Sequence, residues 1–414
     1  MSRVQSKMTA AAVFAAVLLI TVPAAAGETT AVRGAKVVTG TGEIVEGGIV
    51  LVRDGLIVAV GKDVAVPEEA KIVDVPGGWI FPGFIDALTD LGAADRPSRG
   101  GDSDEATDPI TPQLRIVDAV DPGSEFIARA RTSGLTAALA APALGNLLSG
   151  QSALIRLSGD DVADMIVRFP VAVHGSLGEP PKMRYGTKGR SPQTRMGSAA
   201  LLRQTLWDVR NRIALLEDHD RKRAGFRVPP AADSRLDVLI PIVKGESPLV
   251  LNANRMDDIL TALRIAEEFG LKLIISGGAE AHRVKERLAA SGISVLLRPA
   301  DAAGPTEETA RAEYGSAAVL FEAGVRFAFQ TGSAGLSGDL LSHVRSAVAH
   351  GLPWEEALRA VTVSPAGIFG AVDRIGSLEA GKFADMAIFD GNPFREPARA
   401  VVVMIGGKTV FDRR

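Results

Sequence analysis

Eight short apolar runs recur between Phe84 and Gln330, and this repetition limits the fold more than any other feature of the chain. They cover 84–88, 136–141, 153–157, 171–174, 249–252, 273–276, 294–297 and 327–330. A run that is apolar at successive positions needs cover on both faces, which is the environment of a parallel strand between layers of helices. Helical patterns separate several of the runs. The clearest covers 255–269, where Ile259, Leu263, Ala266 and Phe269 fall on one face and Gly270 supplies a stop. Eight such units predict an α/β fold of the (β/α)8 type, a TIM barrel of about 250 residues or more. The chain has 414 residues, 46% hydrophobic and 23% charged, so it is an ordinary globular sequence with length to spare.

The spare length has a different texture. Ile49 to Val52 and Leu56 to Val60 flank Arg53-Asp54-Gly55, and Asp-Gly between β-branched runs predicts a hairpin. Near the other end, 401–405 turns through Gly406-Gly407 into Thr409-Val410-Phe411. Neither end supplies enough strands for a stable sheet alone. The expectation is one small β-sandwich built from 30–78 and 371–414, a barrel over 79–370, and a helical insertion around 190–243 marked by Leu201, Leu202, Leu206, Val209 and Ile213. The Gly-, Asp- and Ser-rich stretch 91–111 reads as a loop after the first barrel strand.

The first segment reads as a targeting signal rather than fold. Arg3 and Lys7 precede an apolar run over 8–22, followed by Ala24-Ala25-Ala26. These are the basic, hydrophobic and small-residue parts of a secretory signal, expected to be cleaved after Ala26. The run is shorter than the roughly 20 residues of a membrane span. The protein is therefore expected to be exported, periplasmic or secreted, with no stable membrane anchor after cleavage. Removal of 1–26 takes the formal charge from −3 to −5. With Lys+Arg 46 against Asp+Glu 49, no basic excess exists to hold nucleic acid. Cys is absent, which excludes disulfides, thiolate metal sites and Cys nucleophiles. Imidazole chemistry is limited to His174, His219, His282, His343 and His350.

Several motifs carry a resemblance. Pro82-Gly83-Phe84-Ile85-Asp86 resembles the start of the first barrel strand in the metal-dependent amidohydrolase superfamily. Ser364-Pro365-Ala366, Ile375-Gly376-Ser377-Leu378-Glu379-Ala380-Gly381-Lys382-Phe383-Ala384-Asp385 and Gly391-Asn392-Pro393 are similar to its closing segments. Thr194-Arg195-Met196-Gly197-Ser198 and Asp257-Asp258-Ile259-Leu260 resemble exported imidazolonepropionase-like or prolidase-like members. The resemblance implies a barrel with a β-sandwich from both termini. It also implies divalent ions at the C-terminal mouth of the barrel that acidify a bound water and polarise a scissile carbonyl. The ligands would be a His-x-His on the first strand, a Lys or Glu on the fourth, single His residues on the fifth and sixth, and an Asp on the eighth.

Those positions are degenerate here. The first-strand pair falls on Leu88 and Asp90, the fifth-strand His on Asn252, the sixth-strand His on Gly277 and the eighth-strand Asp on Gly332. Leucine and glycine offer no donor, and an amide oxygen is a poor ligand for zinc. The fourth strand keeps Glu179 and Lys182, either of which suits the ligand position. No His-x-His occurs anywhere in the chain. His219 lies in a charged run, His282 follows the sixth strand, and His343 and His350 share a helix face ending at Gly351, where a positive charge favours the helix C-terminus. His174 closes the fourth strand and suits either the pocket or a structural hydrogen bond.

Other chemistry is weaker. The segments around Ser176 and Ser333 lack the first Gly of a nucleophile elbow, and no phosphate-binding or dinucleotide motif occurs. Asp90, Asn252 and Asn254 are the residue types of a hard-cation site, but Asn254 with Asp257 three residues on also reads as a helix N-cap. The candidate mouth-lining set is Thr89, Asp90, His174, Glu179, Lys182, Arg184, Tyr185, Asn252, Asn254, Arg255, Thr331 and Ser333. Arg255 and Lys182 suit a small anionic or peptide-like ligand, unless Arg255 pairs with Asp258 or Glu280.

Two readings follow. In the first, the chain has lost hydrolysis of C–N bonds, holds no cofactor, and binds a ligand or pairs, as a homo- or hetero-oligomer, with an intact amidohydrolase relative. In the second, it hydrolyses an amide or dipeptide-like substrate at a non-standard or metal-poor site, with zinc or another divalent ion required only in that case.

Overall fold

The computed structural model describes residues 28–94, 101–221, 229–303 and 306–414. The expected signal, 1–26, and the middle of the 91–111 loop lie outside the described residues. Strands β1 (Thr29–Val38), β2 (Ile44–Glu46), β3 (Ile49–Arg53), β4 (Leu56–Gly61) and β5 (Lys71–Pro82) open the chain. The barrel region contributes β6 (Phe84–Thr89), β7 (Leu135–Ala140), β8 (Gly150–Gln151), β9 (Ala153–Arg156), β10 (Ile166–Arg168), β11 (Val173–Ser176), β12 (Pro248–Ala253), β13 (Lys272–Gly277), β14 (Ser294–Leu297) and β15 (Phe327–Phe329). Strands β16 (Met386–Phe389), β17 (Ala400–Ile405) and β18 (Lys408–Asp412) close it.

Both ends meet in one eight-stranded sheet of order β18-β17-β16-β5-β1-β3-β4, with β2 on β1. The long β5 is the junction, parallel to β1 through Val32↔Val73 and antiparallel to β16 through Ile80↔Ile388. The Asp54-Gly55 turn takes positive φ at both residues (51° and 77°), and Gly406-Gly407 does the same (57° and 74°). Such turns match the right-handed twist of the strands they join. The sheet curls until these two tips touch, and a Cβ on Gly55 would lie 2.9 Å from the Gly406 carbonyl oxygen. Its inner face packs Val32, Val50, Val52, Ile57 and Val73 against Met386, Ile388, Val402 and Met404.

The middle of the chain is a TIM barrel. Strands β11 to β15 run parallel in sequence order, and β6 is parallel to β7. One strand departs from the expected arrangement, because β9 is antiparallel to β7 (Ala137↔Arg156, Ala140↔Ala153). A parallel return needs a crossover, usually helical, and no helix lies between Ala140 and Ala153. The barrel is continued by Ser152 N–H donating to Ala172 O at 3.0 Å and by Gly332 N–H donating to Leu88 O at 2.9 Å.

Side chains alternate along the strands. Leu249, Leu251, Leu273, Ile275, Val295 and Phe329 join the core under the helices. Val250, Ile274, Leu296 and Ala328 face inward, packed with Ile85, Ala87, Leu88, Leu139 and Leu154. The helix expected over 255–269 spans Met256–Phe269 and stops at Gly270, whose φ is 68°. The insertion is dominated by the helix Arg195–Arg221, which buries Leu202, Leu206 and Val209.

Candidate functional site

The mouth of the barrel is where side chains at the C-terminal strand ends converge. On the β6–β15 side the organising group is Asp86, which is fully buried. Its Oδ1 accepts from the N–H groups of Thr331 (3.0 Å) and Leu88 (3.3 Å), and its Oδ2 from the hydroxyls of Thr331 (2.5 Å) and Ser337 (3.0 Å). Burial nevertheless dominates and pushes its pKa up to about 6, with those bonds opposing the rise. Thr89 joins the cluster through Ser337 at 3.0 Å. Asp90 accepts from Ala334 N–H at 2.7 Å and from the Ser103 hydroxyl at 3.3 Å, so its carboxylate holds two loops together. Ser333 directs its carbonyl to the Thr331 hydroxyl at 3.1 Å.

On the β11–β12 side the organising group is Arg195. Its guanidinium donates to Asp258 (2.9 and 3.1 Å), Glu179 (2.9 Å) and Glu308 (3.3 Å). Glu308 also accepts the Glu179 N–H at 2.6 Å. Burial raises the pKa of Asp258 and Glu308. Glu179 is held below its ordinary value, first by its bond with Lys182 at 2.7 Å. The two fourth-strand candidates are therefore bonded to each other. Arg184 pairs with Asp104, and Tyr185, fully buried, donates to Asn146 Oδ1 at 2.5 Å.

Two expectations for the fifth strand are corrected. Asn254 does not cap the following helix: its amide donates to Asn252 Oδ1 at 3.4 Å, and the helix N-terminus is met by Glu280, which accepts Met256 N–H at 3.1 Å. Arg255 pairs with neither Asp258 nor Glu280. It bonds Asp257 at 3.2 Å, because Arg195 holds Asp258 and Arg283 holds Glu280. Asn252 donates to the Ser276 carbonyl and hydroxyl, both at 3.3 Å.

His174 faces the barrel interior, in register with the inward Val250. It is fully buried, neither ring nitrogen has a hydrogen-bond partner, and burial drives its pKa down to about 3, so the ring is neutral. The other imidazoles lie elsewhere: His219 by Asp220, His282 between Ser316 and Glu313, His343 by Asp301, and His350 on the Ser346 carbonyl at a helix end. The sequence reading missed Arg298 and Gln330. Both extend inward-facing rows of β14 and β15, and the available signal was a polar residue directly after an apolar strand at the barrel's C-terminal face.

The comparisons with known proteins agree with this architecture. The Amidohydrolase family model matches residues 252–410. A crystal structure of an amidohydrolase from Thermotoga maritima MSB8 superposes with a TM-score of 0.88 at 33% identity, covering 93% of this chain and 100% of that one. The chain belongs to the amidohydrolase family. An imidazolonepropionase from Mesorhizobium japonicum is 26% identical over 405 residues, covering 87% of this chain and 90% of that protein. The amidohydrolase tasK of Hapsidospora irregularis is 26% identical over 392 residues, 88% of this chain but 40% of its own length.

The metal that the amidohydrolase family implies does not fit the residues present. Leu88 is packed in the apolar interior, and Asp90 and Asn252 are engaged as described. At Gly277 the φ is +86°, and a Cβ would lie 2.4 Å from Asn254 Oδ1 and 2.8 Å from Asn252 Nδ2. The two amides thus fill the space a ligand at that position would need. Gly332, with φ +71°, offers no donor. Among the described residues, no three His, Asp or Glu side chains converge as a metal would require.

Proposed function

We propose that this amidohydrolase is a non-catalytic member of its family, exported and free of bound metal, which binds a small ligand or serves as a structural partner to an intact relative. One observation carries the reading: the space beside Gly277 is filled by Asn252 and Asn254, so that donor has been replaced by packing as well as deleted. A metal-poor route remains chemically distinct from this, and the names of the relatives are what favour it. Export rests on Arg3, Lys7, the apolar run and the three alanines before Gly27.

The reading is tested by equilibrating the purified protein with Zn²⁺, removing free metal and measuring zinc per chain beside turnover of dipeptides and N-acyl amino acids. No stoichiometric zinc and no turnover are expected. One zinc per chain with zinc-dependent hydrolysis would overturn the proposal in favour of an active enzyme. N-terminal sequencing of the mature protein is expected to begin at Gly27.

A further inference from the structure

We infer that this protein pairs with a second copy of itself through the outward face of the insertion helix Arg195–Arg221, laid antiparallel against the same helix of its partner. The inner face of that helix is the one an insertion needs, with Leu202, Leu206 and Val209 buried. The outer face is not that of a solvated helix. Met196, Trp207 and Leu215 are 80%, 47% and 53% exposed, and the other exposed positions between them, Ala200, Gln204, Asn211 and Ala214, carry no charge. Their spacing sets them on one strip about 30 Å long. A surface helix ordinarily turns charged residues to water, whereas one that is uncharged on both sides is covered on both sides. The charges of this stretch are held on the chain itself: Arg203 donates to Glu268 at 2.7 Å, Arg210 to the Glu268 carbonyl at 3.3 Å, and Asp208 accepts from Gln204 at 2.8 Å. Trp207 is fixed edge-on against Phe269, with ring centroids 5.6 Å apart.

The strip is complementary to itself about its own middle, as a twofold contact requires. An axis passing between residues 205 and 206 sets Met196 against Leu215, Ala200 against Asn211 and Gln204 against Trp207 across the pair. Leu215 is then a knob, and a groove of about 500 Å³ lined by Met196, Ala199, Ala200, Thr261 and Arg264 is its receptor at the other end. Ala200 and Ala214 let two helix axes approach to the usual packing distance of about 8–10 Å. Charge selects the same orientation. Before Asp208 the helix carries Arg195 and Arg203 and no acid. Beside the groove the Arg264 guanidinium donates to the Thr261 hydroxyl at 2.9 Å, and the acids at that end, Asp257 and Asp258, are already bonded to Arg255 and Arg195. After Leu215 come Glu217, Asp218 and Asp220 before the single Arg221. An antiparallel pair brings the basic end of each helix to the acidic end of the other, whereas a parallel pair would set like against like.

The test is sedimentation equilibrium of the mature protein at micromolar concentration, expected to give twice the mass of one chain. Trp207→Glu, which sets two carboxylates beside the axis, should leave a monomer with an unchanged far-UV circular dichroism spectrum. Should it fail to fold, Ala200→Arg, at an exposed position, must still dissociate the pair. A dimer that survives both substitutions would overturn the inference; so would a monomeric wild type, which would leave the strip to a different protein. The orientation is read separately, because the chain has no cysteine of its own. Mild oxidation of the double variant Ala200→Cys/Asn211→Cys should give a covalent dimer, and neither single variant should. Each of these residues would lie about 16 Å along the helix from its own copy, and a disulfide needs Cα atoms within about 7 Å. Efficient cross-linking by either single variant, or none by the double, would overturn the antiparallel pairing. The strip lies outside the barrel mouth, so zinc-dependent turnover would sink the non-catalytic reading and leave the pair standing, while a monomer without turnover would do the reverse.

Discussion

The two sides of the barrel mouth hold buried carboxylates by opposite means. Around Asp86 one carboxylate is surrounded by neutral donors, and desolvation outweighs them, so its pKa lies at about 6. Around Arg195 a single guanidinium is shared among Glu179, Asp258 and Glu308, and its attraction opposes the burial that still raises the pKa of Asp258 and Glu308. The difference teaches where stability should depend on pH and where it should depend on one side chain. A neutral cage tolerates its carboxylate best when that group is protonated, whereas a cation hub fails when the cation is removed.

The largest effect is expected from Arg195→Ala. It strands the carboxylates of Asp258 and Glu308, whose side chains are 5% and 8% exposed. Removing one partner of a buried ionic group typically costs about 3–5 kcal/mol, and the hub's partial exposure places this variant near the lower figure, about 3 kcal/mol, read from the urea midpoint. An unchanged midpoint would remove the hub from the account.

The next effect separates the two sides by pH. Asp86 and Asp385, both buried with pKa raised to about 6, favour folding most when protonated, below their unfolded value near 4. Stability should therefore fall as pH rises from about 4 through 6 and level off above, by at most about 3 kcal/mol for each group. Asp86→Asn should flatten its share of the slope while the Arg195 side is unaffected. A flat wild-type profile over this range would contradict the burial assigned to both groups.

The smallest effect is Lys182→Ala. Glu179 keeps its bond to Arg195 when Lys182 is lost, so the cost should be about 0.5 kcal/mol, as for a partly exposed pair. A loss as large as that of Arg195→Ala would mean that the two cations share the hub equally.

The fold was legible in the sequence where one local rule decided it. Apolar runs located the strands, and Asp54-Gly55 and Gly406-Gly407 located two turns. The direction of β9 was not legible, because an apolar run of four residues looks the same in either sense; only the helix-free connection before it sets the direction. At the mouth, the missing donors could be read from motif spacing, but their replacements could not. Glu308 reaches Arg195 from 113 residues away, and Asp86 meets Thr331 across 245. Asn254 carried a local capping signal that lost to a longer-range arrangement, in which Glu280 met the helix end and the Asn254 amide went to Asn252 and Glu308.

The curled sheet sets an order of events for a newly made chain. Strand β5 gains its second neighbour only when β16 arrives, with Pro82 opposite Met386 roughly 300 residues later. Until then the Trp79 to Pro82 edge presents open N–H and C=O groups, a template for pairing with another molecule. The last thirty residues are thus the closing seam of a sheet whose other strands end at Pro82. A chain ending before β16 would have a complete set of barrel strands and still carry a sticky rim.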